Sequence, residues 1–254
     1  MSSFFEGPAA EAPRRPPVEL PKHSDNPVLV IGGGASVVPA MEAYKSLRTR
    51  LLGLQTGRGI RSVVITSAAY ADGKTLLSLN LAWCCAQLED TPVLLVDADL
   101  RSRGLTELIG NLSQPGLTDV LSGAVSYEDA ICRTSSPNLY VIGAGSSAIE
   151  MSEIFSGENW KRFMDWARNF FKLVLVDSLP IGTAADCELI AAGCDGVMVV
   201  VRAQMTPRGA LEKGLEQIES NKLIGVVWNA APGGSSAAKA YRQHAAKSFK
   251  AVAE

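Results

Sequence analysis

Residues 63–82 read VVITSAAYADGKTLLSLNLA, and the rest of the chain is organised around them. The run Val63-Val64-Ile65 has strand character and enters a short loop of small residues. That loop ends in Gly73-Lys74-Thr75, and a helix-like stretch follows with Leu76, Leu79 and Leu81 among its apolar positions. Strand, loop, Gly-Lys-Thr and helix form the layout of a phosphate-binding P-loop. In that layout backbone N–H groups curl around a phosphate and the helix N-terminus adds partial positive charge. Lys74 would reach the terminal phosphates and the Thr75 hydroxyl would ligate Mg²⁺. The pattern is imperfect. Ala68 stands where G-x-x-x-x-G-K-[ST] has its first glycine, and the loop apex is Tyr70-Ala71-Asp72. Taken alone, the stretch also fits a Gly-Lys-Thr at an ordinary helix start.

Working outward, residues 92–101 read PVLLVDADLR, an apolar run ending in Asp97-x-Asp99. This suits a buried parallel strand that delivers acids to the carboxyl edge of a sheet. Two carboxylates there are costly unless a cation meets them. Mg²⁺ on a nucleotide answers that need, since it takes oxygen ligands and few from the protein; a pair of helix-capping acids is the other reading. LVLVD (173–177) repeats the pattern, an apolar strand ending in Asp177. DGVMVVVR (195–202) and LIGVVWN (223–229) are further core strands, and residues 138–145 have strand character. Helices are predicted over 39–54, 150–170 and 207–220, with a short helical turn at 116–123. Alternation of apolar strands and helices predicts an α/β fold: an open, mainly parallel twisted sheet with helices on both faces.

A chain of 254 residues can bury one substantial core. The net charge of −2 offers no overall basic field for nucleic acid. Five cysteines without C-x-x-C spacing, with only His23 and His244 beside them, read as buried free thiols rather than a zinc site. No apolar run reaches membrane-spanning length and the N-terminus lacks a signal-peptide core, which predicts a cytoplasmic protein. Residues 1–27 hold six of the thirteen prolines and few aliphatics, the composition of a disordered or extended tail. The folded unit is expected over 28–232. It begins with a short strand at Val28–Ile31, and Gly32-Gly33-Gly34 then act as a hinge. Residues 233–254 form a C-terminal tail, with 237–254 a helix or loose segment. On the helix at 39–54, Met41, Tyr44, Leu47, Leu51 and Leu54 share one face. Glu42, Lys45 and Arg48 form a neighbouring polar stripe, either a solvated face or an interface.

With these pieces in order the chain resembles the bacterial tyrosine kinases, P-loop autokinases of capsule and exopolysaccharide synthesis related to the Min and Par ATPases. EAYKSLRTRL resembles the family's oligomerisation helix, VVITSAAYADGKT its Walker A loop, VLLVDADLR its Walker A′ motif and LVLVDSLP its Walker B motif. GLTDVLSG, NLYVIGAG and GVVWN stand where the family has equivalents. The resemblance implies ATP and Mg²⁺. Backbone at Ala71, Asp72, Gly73, Lys74, Thr75 and Leu76 would hold the phosphates, with Lys74 on the β- and γ-phosphates. Thr75, Asp97 and Asp177 would hold the metal, Asp99 would help position it, and Asp97 would act as base toward a tyrosine hydroxyl. Asn229 would read the adenine. Glu42, Lys45 and Arg48 would line an interface between copies. A membrane-embedded polysaccharide co-polymerase would be the partner, holding the chain at the inner membrane without a span of its own. The chain departs from the family in three places. Tyr70-Ala71-Asp72 replaces Pro-Gly-Glu, Lys45 replaces an arginine, and Tyr241 is the one tyrosine where members carry a cluster. The depleted cluster keeps open a nucleotide-binding scaffold that transfers nothing. A Min/Par-type ATPase would place a second lysine early in the loop, where Ala69 stands.

Overall fold

The computed structural model describes residues 13–110, 112, 114–146, 151–182 and 186–231. In chain order the helices are α1 (Val38–Arg58), α2 (Lys74–Ala86), α3 (Gly104–Ile109), α4 (Leu117–Leu121), α5 (Tyr127–Ala130), α6 (Met151–Ser156), α7 (Glu158–Phe170), α8 (Asp186–Ala192) and α9 (Arg208–Glu216). The strands are β1 (Ser62–Ser67), β2 (Val93–Asp97), β3 (Cys132–Arg133), β4 (Leu139–Ile142), β5 (Leu173–Asp177), β6 (Gly196–Arg202) and β7 (Leu223–Asn229). They form one sheet in the order β3-β4-β2-β5-β1-β6-β7, parallel throughout except for the short antiparallel β3.

Side-chain alternation along the strands builds two cores, one on each face. Val64, Leu94, Val96, Val174, Val176 and Val199 point to the layer holding Trp160, Phe163 and Met164 of α7 and Ile190 of α8. Val63, Ile65, Val93, Leu95, Leu175 and Val200 point to the opposite layer, with Leu51 of α1 and Leu79 and Leu81 of α2. Strands buried on both faces read as continuous apolar runs, which is why they stand out in the sequence. All five cysteines are buried free thiols. No helix among the described residues is long and apolar enough to cross a membrane.

The structure departs from expectation at the N-terminus. Residues 13–27, whose composition predicts a disordered or extended tail, run against the domain, where Val18 bridges Thr134 and Val18 and Leu20 are buried in the α1/α2 layer. Arg15 fixes the arm further, donating Nη1 to the Pro115 carbonyl at 2.8 Å. A few aliphatics spaced along an extended arm suffice because the domain supplies the other side of the contact. Val28–Ile31 is not a strand. Leu29 N–H bonds back to the Asn26 carbonyl at 3.0 Å and Val30 N–H goes to Asn80 Oδ1 at 2.9 Å, so the segment turns while Leu29, Val30 and Ile31 bury their side chains. The three glycines are no free hinge either: a 3-10 turn over Gly34–Val37 leads straight into α1.

Elsewhere the boundaries shift. α1 extends to Arg58, and Tyr44, Leu47, Leu51 and Leu54 face the core as expected. The helix predicted over 150–170 breaks at Gly157 into α6 and α7, and the one predicted over 207–220 ends at Glu216. Replacing Leu20 by alanine tests the docked arm. Its fully packed side chain predicts a loss of about 2–5 kcal/mol of unfolding free energy in urea titration, whereas a free tail would lose nothing measurable.

Candidate functional site

Parallel pairing brings the site together. β2 and β5 are neighbours with Asp97 in register with Asp177, so both carboxylates leave the sheet at the same edge. β1 lies on the other side of β5 and feeds the loop into α2, whose first residues are Lys74 and Thr75. Lys74 Nζ donates to Asp99 Oδ2 at 2.7 Å and lies 3.4 Å from Thr75 Oγ1. Thr75 Oγ1 donates to Asp177 Oδ2 at 2.7 Å, and Ser78, one turn along α2, donates to Asp177 Oδ1 at 3.1 Å. Asp97 Oδ2 accepts both the backbone N–H (2.8 Å) and the hydroxyl (2.6 Å) of Thr106 on α3. Its other oxygen, Oδ1, is buried and has no hydrogen-bond partner among the described residues.

Among the described residues three carboxylates thus face one ammonium. Burial pushes Asp177 up to about 7, only partly opposed by Lys74. It pushes Asp97 up to about 6 against the Thr106 hydrogen bonds. For Asp99 burial works upward, but the bond and charge of Lys74 and the hydrogen bonds from Ser102 together outweigh it, and its carboxyl stays below the usual value. For Lys74 burial works downward, but the pull of Asp177, Asp99 and Asp97 prevails and holds the ammonium above its ordinary value. An unpartnered buried carboxylate oxygen beside a threonine hydroxyl and a second acid, in a site short of positive charge, fits a hard cation with oxygen ligands. Among the described residues no cluster of three or more His, Cys, Asp or Glu could hold a metal by itself. Mg²⁺ suits such a site because phosphate oxygens and water complete its shell.

The loop is built for close approach. Gly73 has φ +94°, and a Cβ there would collide with Asn229 Nδ2. Ala71 holds φ +63° without being glycine, a conformation that costs an L residue about 1 kcal/mol or more. The surroundings impose it. Arg202 Nη1 donates to the Ala71 carbonyl at 3.1 Å. Asp72 accepts from Ala69 N–H at 2.9 Å and from the Thr206 hydroxyl at 2.7 Å. Asn229, at the end of β7, donates Nδ2 to the Asp72 carbonyl at 2.8 Å and accepts from Ala230 N–H at 2.8 Å, so it braces the loop.

Lys74, Thr75, Asp97, Asp99, Asp177 and the loop from Ala71 to Leu76 therefore converge, with Asn229 beside them. The polar stripe on α1 lies apart and divides. Glu42 and Lys45 form an exposed ion pair at 2.9 Å, while Arg48 turns inward and donates to the Cys84 carbonyl at 2.8 Å, tying α1 to α2. Tyr241 lies outside the described residues. Sequence reasoning missed Thr106, Ser78, Thr206 and Arg202. Ser78 lies one turn after Lys74 on α2, a spacing that could have marked it, whereas Thr106, Arg202 and Thr206 are revealed only by their contacts with Asp97, Ala71 and Asp72.

The raised acids set a pH dependence. Asp97 and Asp177 bind protons more tightly in the folded chain than in the unfolded one, so stability falls as pH rises from about 4 through about 7. In thermal melts of the nucleotide-free chain, wild type should lose ground to Asp177→Asn between pH 5 and 7.5. Parallel pH curves for the two would contradict the assignment.

No family model matches the chain. It is 31% identical over 193 residues to the tyrosine-protein kinase CpsD of Streptococcus agalactiae, covering 74% of this chain and 82% of that protein. It is 33% identical over 217 residues to the tyrosine-protein kinase ptk of Acinetobacter johnsonii, a match covering 83% of this chain and 29% of that longer protein. Among solved structures, the chimerical protein CapA2B2 superposes with a TM-score of 0.74 at 27% identity, covering 85% of this chain and 93% of that one. The tyrosine kinase domain of BceF gives 0.69 at 28% identity, covering 78% and 81%. The septum site-determining protein MinD of Pyrococcus horikoshii, complexed with Mg-ADP, shares the fold at 20% identity with a TM-score of 0.55, covering 66% of this chain and 69% of that one. The chain belongs to the bacterial tyrosine-protein kinases.

Proposed function

We propose that the chain is an ATP-dependent protein-tyrosine kinase that regulates capsule or exopolysaccharide polymerisation and export. The observation that supports this reading best is the convergence of Lys74 and Thr75 on the acid-bearing tips of β2 and β5. Phosphoryl transfer needs alignment of three groups and neutralisation of spreading charge more than covalent chemistry. The loop from Ala71 to Leu76 would cradle the β- and γ-phosphates with its N–H groups, and Lys74 would exchange Asp99 for phosphate oxygens. Thr75, Asp97 and Asp177 would hold Mg²⁺, which would supply added positive charge where the acids now outnumber the lysine. Asp99 would keep Lys74 in place between turnovers. Asp97 would orient the incoming phenol and accept its proton. Asn229, beside the loop through its bond to the Asp72 carbonyl, would read the adenine.

Self-association through the exposed Glu42–Lys45 pair of α1, and activation by a membrane-embedded polysaccharide co-polymerase at the inner membrane, complete the reading. Arg48 would serve mainly inside its own chain, given its bond to Cys84.

Incubation of the full chain with Mg-ATP, followed by phosphotyrosine mass spectrometry, tests the proposal. Wild type should acquire phosphotyrosine, Lys74→Met should fall by at least about a hundredfold, and Lys45→Glu should slow transfer between copies while leaving nucleotide binding intact. Tight nucleotide binding with no phosphotyrosine, even with the cytoplasmic part of a co-polymerase supplied, would favour the silent scaffold instead.

A further inference from the structure

The protein has five tyrosines, and four lie among the described residues. Three are built into the fold. Tyr140 is 6% exposed on β4, with its ring 5.3 Å from that of Phe171. The Tyr44 hydroxyl accepts from Asn80 Nδ2 at 3.1 Å between α1 and α2, and burial holds its phenol above the ordinary value. Tyr127 is half-buried with its ring 4.7 Å from that of Trp166. Tyr70 is different. It is 63% exposed at the apex of the phosphate loop, where the Arg202 bond to Ala71 and the loop's own Ala69–Asp72 bond fix the backbone that carries it. The Arg202 guanidinium is held on the carbonyl of Ala71, the next residue in the chain.

We propose that Tyr70 is a phosphorylation site of this chain, modified by a second copy, and that phosphate there blocks nucleotide loading of the loop that bears it. The inference rests on the kinase reading above. A loop of this kind wraps the leaving β-phosphate, while an in-line nucleophile must approach from the far side of the γ-phosphorus. Tyr70 therefore cannot accept from its own nucleotide. In the transfer, Tyr70 Oη bonds to the γ-phosphorus of ATP held by the other copy as the bond from that phosphorus to the β–γ bridging oxygen breaks. ADP leaves, and the phenolic proton passes to that copy's Asp97 and on to water. The product places a charge of about −1.5 to −2 at the mouth of an anion cradle. Like charge then opposes an incoming triphosphate. Arg202 becomes the phosphate's natural partner, drawn off the Ala71 carbonyl that it now steadies.

The test mixes native full-length chain with a tagged Lys74→Met chain, which cannot donate, in Mg-ATP, and maps phosphopeptides on the tagged chain. Phosphate should appear on its Tyr70, faster as the native chain is made more concentrated. Phosphorylated native chain should bind Mg-ATP about tenfold more weakly or worse, a change of about 1.4 kcal/mol. A tyrosine phosphatase should restore the affinity, and Tyr70→Phe should show no such loss after the same incubation. Phosphotyrosine confined to Tyr241 overturns the Tyr70 assignment and leaves the kinase reading standing. Phosphate on Tyr70 with unchanged affinity overturns the block. Absence of phosphotyrosine from both chains overturns the kinase reading and this inference with it.

Discussion

The structure depends on a charge imbalance at one edge of its sheet. Among the described residues Lys74 is the single ammonium facing Asp97, Asp99 and Asp177, and its 2.7 Å bond satisfies Asp99 alone. The other two acids occupy in-register positions on adjacent parallel strands, where burial disfavours their charge. Threonine and serine hydroxyls supply hydrogen bonds but no positive charge. A fold built only for stability would place apolar residues at these tips, since buried charge is weak support for a fold. Keeping three acids there stabilises whatever brings positive charge to them, and a nucleotide with its magnesium does so while also engaging Lys74.

The surrounding architecture serves that edge. Strand order puts β5 between β1 and β2, so the loop before α2 opens directly over both acid-bearing tips. α3 reaches in from the opposite side to fix Asp97 through Thr106. β6, the turn after it and β7 hold the loop from its outer flank through Arg202, Thr206 and Asn229. The loop has few glycines, yet its strained turn at Ala71 is held by neighbours on both sides. Bracing by the surroundings replaces the freedom that extra glycine would have given, at the cost of a less adaptable cradle.

Much of this was legible in the sequence. The continuous apolar runs ending in Asp97, Asp177 and Asn229 mark strands buried on both faces, and Gly73-Lys74-Thr75 marks the loop. Their convergence follows once the sheet is parallel. What stayed hidden depended on long-range contacts that carry no local signature. Val18 and Leu20 look like strays in a proline-rich tail because the segment they pair with, at Thr134 and Ser135, lies more than a hundred residues away. Val28–Ile31 has the composition of a strand, but Asn80 takes the hydrogen bond that a neighbouring strand would need. Arg48 reads as part of a surface stripe, yet a long side chain on a helix edge can turn inward, and here it meets the Cys84 carbonyl.

Calorimetric titration of Mg-ATP into the full chain, beside Lys74→Met and Asp177→Asn, tests the central claim most directly. The account predicts clear binding heat for wild type. It predicts at least about a hundredfold weaker binding for Lys74→Met, and a loss of magnesium dependence for Asp177→Asn. Binding of equal strength in all three proteins, or no heat in any of them, would contradict it.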